Sequence, residues 1–299
     1  MTEENNGKPI GPSPSPTKTP MYQAMHADRY RRQACIRDIQ RRSGGFLICY
    51  VAGSKAQISR DDTVGIVELL HNIPPDKNVD LLLHTVGGDI DAAEKLISIV
   101  RTSVGQGQLR VIVPDFAKSA GTLMAIAADK IVMSDSSELG PIDPQITLND
   151  GRGNAIQHSV MSYLEAYRVH SEALRKNPTD IVAATMLSKL DPATVNLFDA
   201  ARQRAQKLAE DHLNRWMFHE KKTTYTKVAA ELMNTSKWLT HGQMIGYQSA
   251  KSLELEVHYL KPTSEEWREY WGLYCQQRIA IRDHQKLFES EYASLILDN

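Results

Sequence analysis

Cysteine is scarce in this chain and poorly placed for structural chemistry. The 299 residues include three, Cys35, Cys49 and Cys275, odd in number and not at metal-ligand spacing. That excludes a disulfide framework and points to thiols in a reducing compartment. No metal or other cofactor is expected. An excess of one charge is also missing: 35 basic residues stand against 36 acidic ones, for a formal net charge of -1. Such a balance gives no electrostatic case for nucleic acid or an anionic membrane surface. No apolar run approaches the ~20 residues needed to cross a bilayer. Residues 1–20 lack the basic-then-apolar pattern of a signal peptide. The expectation is a soluble cytoplasmic protein with no membrane span. No phosphate-binding Walker motif is present.

What the chain does have is an ordered succession of elements. Residues 1–20 are rich in Pro, Ser and Thr and read as a disordered tail. Residues 21–44 read as a charged helix, exposed or partner-facing, that ends at Ser43-Gly44-Gly45. From Phe46 onward, apolar runs alternate with helical stretches: 46–51, 79–84, 109–114 and 130–133 are strand-like, and 92–104 and 121–128 are helix-like. Apolar runs without alternation, separated by helices, predict an α/β fold with a mainly parallel sheet covered on both faces. After Gln145, residues 159–176, 192–220 and 224–233 are helix-like, and 249–257 read as a short helix running into a strand. Residues 261–299 are expected to be a helical C-terminal extension. Its Trp267, Tyr270, Trp271 and Tyr274 suit either subunit contacts or packing on the chain's own core.

Chemistry concentrates between Leu81 and Gln145. One apolar run ends in His84-Thr85-Val86-Gly87-Gly88-Asp89, and a second ends in Lys118-Ser119-Ala120-Gly121-Thr122. Each is followed by a helix. A serine and a glycine pair at helix N-termini are what acyl transfer needs: a nucleophile beside N–H groups able to hold an oxyanion. A tight βα turn alone would also account for the glycines.

Together with Leu139-Gly140-Pro141-Ile142-Asp143-Pro144-Gln145, these motifs resemble the Clp-fold serine peptidases, the superfamily of ClpP, signal peptide peptidase A and the enoyl-CoA hydratases. They are most similar to the serine dehydrogenase proteinase (SDH) family, over roughly residues 45–260, which would form a ClpP/crotonase-like catalytic domain. The resemblance implies peptide-bond hydrolysis with Ser119 as nucleophile and backbone N–H groups near Gly87, Gly88 and Ala120 as the oxyanion hole. It also implies a polypeptide substrate and a homo-oligomer, and with no Walker motif in the chain any unfolding power would come from a separate ATPase or regulatory partner.

The general base is left open. Asp143 stands where ClpP-like enzymes carry a histidine, and a carboxylate with a pKa near 3.9 is a weak base for serine. His241, in Trp238-Leu239-Thr240-His241-Gly242, precedes the 249–257 segment, which resembles the late helix–strand element from whose approach ClpP-like enzymes draw their third residue. Ser119, His241 and Asp143 would then form a triad with two positions exchanged. A lysine is the alternative: Lys118 adjoins the serine but points differently, and Lys189 and Lys207 qualify by position only. His158 suits a capping or surface role, and His84 a core position. Two further readings stand beside the peptidase: an inactive Clp-fold scaffold that binds an extended peptide, and a crotonase-type acyl-CoA enzyme.

Overall fold

The structure, a computed structural model, describes residues 19–149, 154–219 and 225–298. Most of the expected N-terminal tail lies outside them. Residues 19 and 20 open a helix, with the Thr19 side chain as its cap. That helix, α1 (Pro20–Met25), and α2 (Ala27–Ser43) lead into β1 (Phe46–Ala52). Then come α3 (Asp62–Leu70), β2 (Val79–His84), α4 (Ile90–Val104), β3 (Leu109–Ile112), β4 (Phe116–Ala117), α5 (Ala120–Ile126), β5 (Lys130–Met133) and β6 (Glu138–Leu139). A hairpin of β7 (Gln145–Asn149) and β8 (Ala155–Ser159) precedes α6 (Val160–Lys176), α7 (Ile181–Leu187) and α8 (Pro192–His212). The end of α8 widens into a π-helical turn, Leu213–Met217. The remaining elements are α9 (Tyr225–Leu232), β9 (Ile245–Gly246), α10 (Tyr247–Ser252), β10 (Val257–Tyr259), α11 (Glu265–Ile279), β11 (Gln285–Glu289) and β12 (Ser294–Asp298).

Seven strands form the main sheet in the order β10-β5-β3-β2-β1-β11-β12. The pairs from β10 to β1 are all parallel. Both faces are covered, which explains the unbroken apolar runs. Ile48, Tyr50, Leu81, Leu83, Val111 and Ile131 face one core with α3, α4 and α5. Their neighbours Leu47, Cys49, Val51, Leu82, Ile112 and Val132 face a second core, closed by Ile36 and Ile39 of α2 and by α11.

Two expectations change here. The helix of the C-terminal extension stops at Ile279, and residues 285–298 are strands that pair antiparallel on β1 and on each other. Their polar side chains disguise them: Lys286 and Glu289 are buried and neutralised by Asp62 and Arg32. The aromatics of α11 pack on the chain's own core, with Trp267 3%, Tyr270 1% and Tyr274 5% exposed, leaving only Trp271 partly open. Helix α2 likewise buries Arg32, Gln33, Ile36 and Ile39 instead of standing free.

Candidate active site

Three short backbone pairings bring the motifs together. Thr85, just past β2, donates its N–H to Phe116 and accepts from Lys118 N–H, both at 3.0 Å. Strand β4 runs parallel to β6, with Ala117 opposite Leu139, and β6 pairs with β9. Thr122 completes the junction: its hydroxyl lies 2.8 Å from the Gly140 carbonyl and accepts from Gly140 N–H at 3.1 Å. Gly121 is required because a Cβ there would lie 2.5 Å from the Thr85 methyl.

Ser119 is the N-cap of α5 and sits at φ 51°, ψ -114°. A non-glycine residue in such a region costs about 1–3 kcal/mol and is held only where its surroundings fix it. Here the following turn does so, through Gly121 N–H to the Lys118 carbonyl at 2.7 Å and Leu123 N–H to the Ser119 carbonyl at 3.2 Å. Gly87, at φ 99°, packs directly against Ser119: an added Cβ would stand 2.7 Å from the Lys118 carbonyl and 2.9 Å from the Ser119 Cβ. The Gly87 N–H itself donates to Thr85 Oγ1 at 3.1 Å. Gly88 is held by Ile58, which bonds to the Gly87 carbonyl and the Asp89 N–H. Among the described residues, the N–H groups of Gly88 and Ala120 have no hydrogen-bond acceptor.

Ser119 lines a cleft of about 480 Å³ whose walls include Gly88, Gln145, Ile146, Thr147 and His241. Asp143 lies behind that wall with its side chain 6% exposed, and its Oδ2 is 3.7 Å from His241 Nδ1. The carboxylate also accepts from Gln145 Nε2 at 2.8 Å and from Met161 N–H at 3.4 Å. Gln145 Nε2 is in turn 3.4 Å from His241 Nδ1. Of the residues singled out from sequence, Ser119, Gly87, Gly88, Ala120, Asp143 and His241 therefore gather in one region.

The lysines do not join them. Lys118 Nζ pairs with Glu138 at 2.9 Å and reaches the Gly242 carbonyl at 3.3 Å, so it braces the loop carrying His241. Lys189 and Lys207 are exposed and do not line the cleft. His84 is buried behind β4, its ring 4.0 Å from that of Phe116 and 3.3 Å from Tyr274 Oη. Burial, helped by the Arg278 charge, lowers its pKa to about 3 and keeps it neutral. His158, on β8, makes an edge contact with Tyr163. Gln145, the last residue of the Leu139–Gln145 motif, carried no role in the sequence reading, and neither did Arg204, which reaches the same cleft from α8 and pairs with Asp91 at 3.2 Å and with Glu94.

Two uncharacterised proteins of Methanocaldococcus jannaschii are similar in sequence. MJ0137 is 29% identical over 204 residues, 67% of this chain and 60% of its own length. MJ1495 is 28% identical over 247 residues, 77% of this chain and 73% of its own length. Among solved structures, two mutants of the 1510-N membrane-bound stomatin-specific protease, one in complex with a substrate peptide, superpose with TM-scores of 0.28 and 0.30. Their identities are 17% and 15%, over 73% and 77% of this chain and 99% and 98% of theirs. The family match is far broader than the three motifs: the chain belongs to the ClpP-like SDH-type serine proteinases, whose family model matches residues 19–288.

Proposed function

We propose that the chain is a serine endopeptidase acting through an acyl-enzyme on Ser119. The observation that carries this reading is the strained Ser119 corner, pressed against Gly87 and open to the cleft that His241 also lines. Ser119 Oγ attacks the scissile carbonyl while His241 takes its proton and then delivers it to the leaving amine. Asp143 stabilises the imidazolium formed in that step. The oxyanion is held by the N–H groups of Gly88 and Ala120, because Gly87 has committed its own to Thr85 and contributes by allowing close approach. Water then attacks the acyl-enzyme by the reverse proton path.

A polypeptide substrate presented in extended form fits the cleft, with any unfolding supplied by another chain. Assembly into a homo-oligomer is part of the proposal, supported by large apolar side chains left open on α7 and α8, Ile181 at 80%, Val182 at 71% and Leu197 at 52%.

The test is hydrolysis of an unfolded substrate such as casein. Ser119→Ala is expected to remove activity while the melting curve is retained, and His241→Ala to lower kcat by at least about 10³-fold with little change in KM. Activity near wild type in purified Ser119→Ala would exclude Ser119 as nucleophile.

A further inference from the structure

Asp143 Oδ2 and His241 Nδ1 are 3.7 Å apart, too far for a hydrogen bond, and the carboxamide of Gln145 lies beside both, within reach of each. Its orientation follows from charge. Asp143 Oδ2 accepts only, so the nitrogen of Gln145, not its oxygen, faces the carboxylate at 2.8 Å. That same nitrogen lies 3.4 Å from His241 Nδ1. An amide nitrogen only donates, so Nδ1 must accept, and the proton of the neutral imidazole then sits on Nε2. A serine base needs the opposite arrangement, with Nδ1–H donated to the aspartate and Nε2 free to take the serine proton. Other charges around the cleft are already engaged: Lys118 by Glu138, Arg204 by Asp91 and Glu94, and Asp89 as the cap of α4 through the N–H groups of Asp91 and Ala92.

We propose that Gln145 is a positioning residue that holds His241 in the Nε2–H tautomer, so that the Asp143–His241 pair becomes competent only when the carboxamide releases Nδ1. Gln145 opens β7, whose Ile146 and Thr147 line the cleft with it. An extended substrate lying along this wall meets Gln145 directly, so binding and release of the carboxamide are coupled. The catalytic consequence rests on the peptidase reading above, while the tautomer rests on the geometry alone.

Two-bond ¹H–¹⁵N correlation spectra of the full chain labelled at histidine, with the imidazole neutral, report the tautomer directly. The His241 signals are assigned by their loss in His241→Ala. Wild type is expected to carry the proton on Nε2, and Gln145→Met on Nδ1, the ring now donating to Asp143. On casein, Gln145→Met should raise kcat by roughly 2- to 10-fold, the worth of one neutral hydrogen bond, with KM little changed. Should that variant fail to fold, Gln145→Ala gives the same reading, since it too removes the amide donor from Nδ1. A proton on Nδ1 in wild type overturns the proposal, as does an unchanged tautomer in a folded variant, which would reduce Gln145 to a brace for Asp143. A tautomer switch with no gain in kcat overturns the catalytic consequence. Full activity in Ser119→Ala would remove the peptidase reading and leave the tautomer result standing, so the two failures are distinguishable.

Discussion

At the scale of single residues, the site depends on how closely two backbones approach. Gly87 is at φ 99° and has no room for a methyl, since a Cβ would meet the Lys118 carbonyl and Ser119 at under 3 Å. Gly87→Ala must therefore push the α5 corner away from the glycine turn. We expect kcat to fall by about 100-fold, with a stability loss of about 1–3 kcal/mol from strain and overpacking. Gly242 provides the control, being next to His241 with nothing within 4 Å of its would-be Cβ. Gly242→Ala should stay within about 0.5 kcal/mol of wild type. Steady-state kinetics and thermal melts on both variants decide the matter; equal kcat in the two would mean that the approach of Gly87 to Ser119 has no bearing on function. Ser119, Gly87 and Gly88 were legible in the sequence because they sit where an apolar run stops and a helix starts. Asp143 and His241 were legible only through their motif contexts. Gln145 stood in the same motif as Asp143, but its role was not legible, because an uncharged amide gives no pattern of its own and its partner His241 is 96 positions away.

At the scale of elements, the parallel strands could be read from composition, whereas β11 could not. Its sequence, QKLFE, places Lys286 and Glu289 in the interior, and a buried charge is unreadable unless its partner is known. Those partners lie 224 and 257 positions away: Lys286 Nζ is 2.7 Å from Asp62 Oδ1, and Arg32 grips Glu289 through two nitrogens. The pairs fasten β11 to α3 and α2, helices on opposite faces of the sheet. Both side chains of the Lys286–Asp62 pair are almost wholly buried, 2% and 1% exposed, so removing one partner leaves an uncompensated charge. Lys286→Met should cost about 3–5 kcal/mol in urea unfolding. Adding Asp62→Asn should recover part of that loss, since the amide can still meet Tyr50 and Ser59, which bond to Asp62 at 2.9 Å. A single variant within 1 kcal/mol of wild type would contradict the burial of this pair.

At the scale of the molecule, the two cores respond to acid through histidines that fold neutral. His84 lies in the α11-side packing beneath β4, with Tyr274 and Phe116 around it, and His212 bonds the Leu123 carbonyl of α5 on the other side. Burial lowers the pKa of both. For His84 the folded value is about 3, and the unfolded one is about 6.5. Between these values the unfolded chain binds a proton that the native state refuses, so stability falls as pH falls. The contribution is fully present above the unfolded value and disappears as pH drops toward the folded one. From pH 7.5 to 5.5, His84 alone should remove roughly 1.4 kcal/mol, in a window where few carboxylates titrate. Urea unfolding at both pH values, on wild type and His84→Gln, isolates this contribution from the other histidines by difference. The variant should start less stable, having lost the fitted ring, and should lose about 1.4 kcal/mol less between the two pH values. Identical losses would mean that His84 is free to protonate in the folded protein. Its packing between Phe116 and Tyr274, and with it the support of the β4 segment that leads into Ser119, would then have to be redrawn.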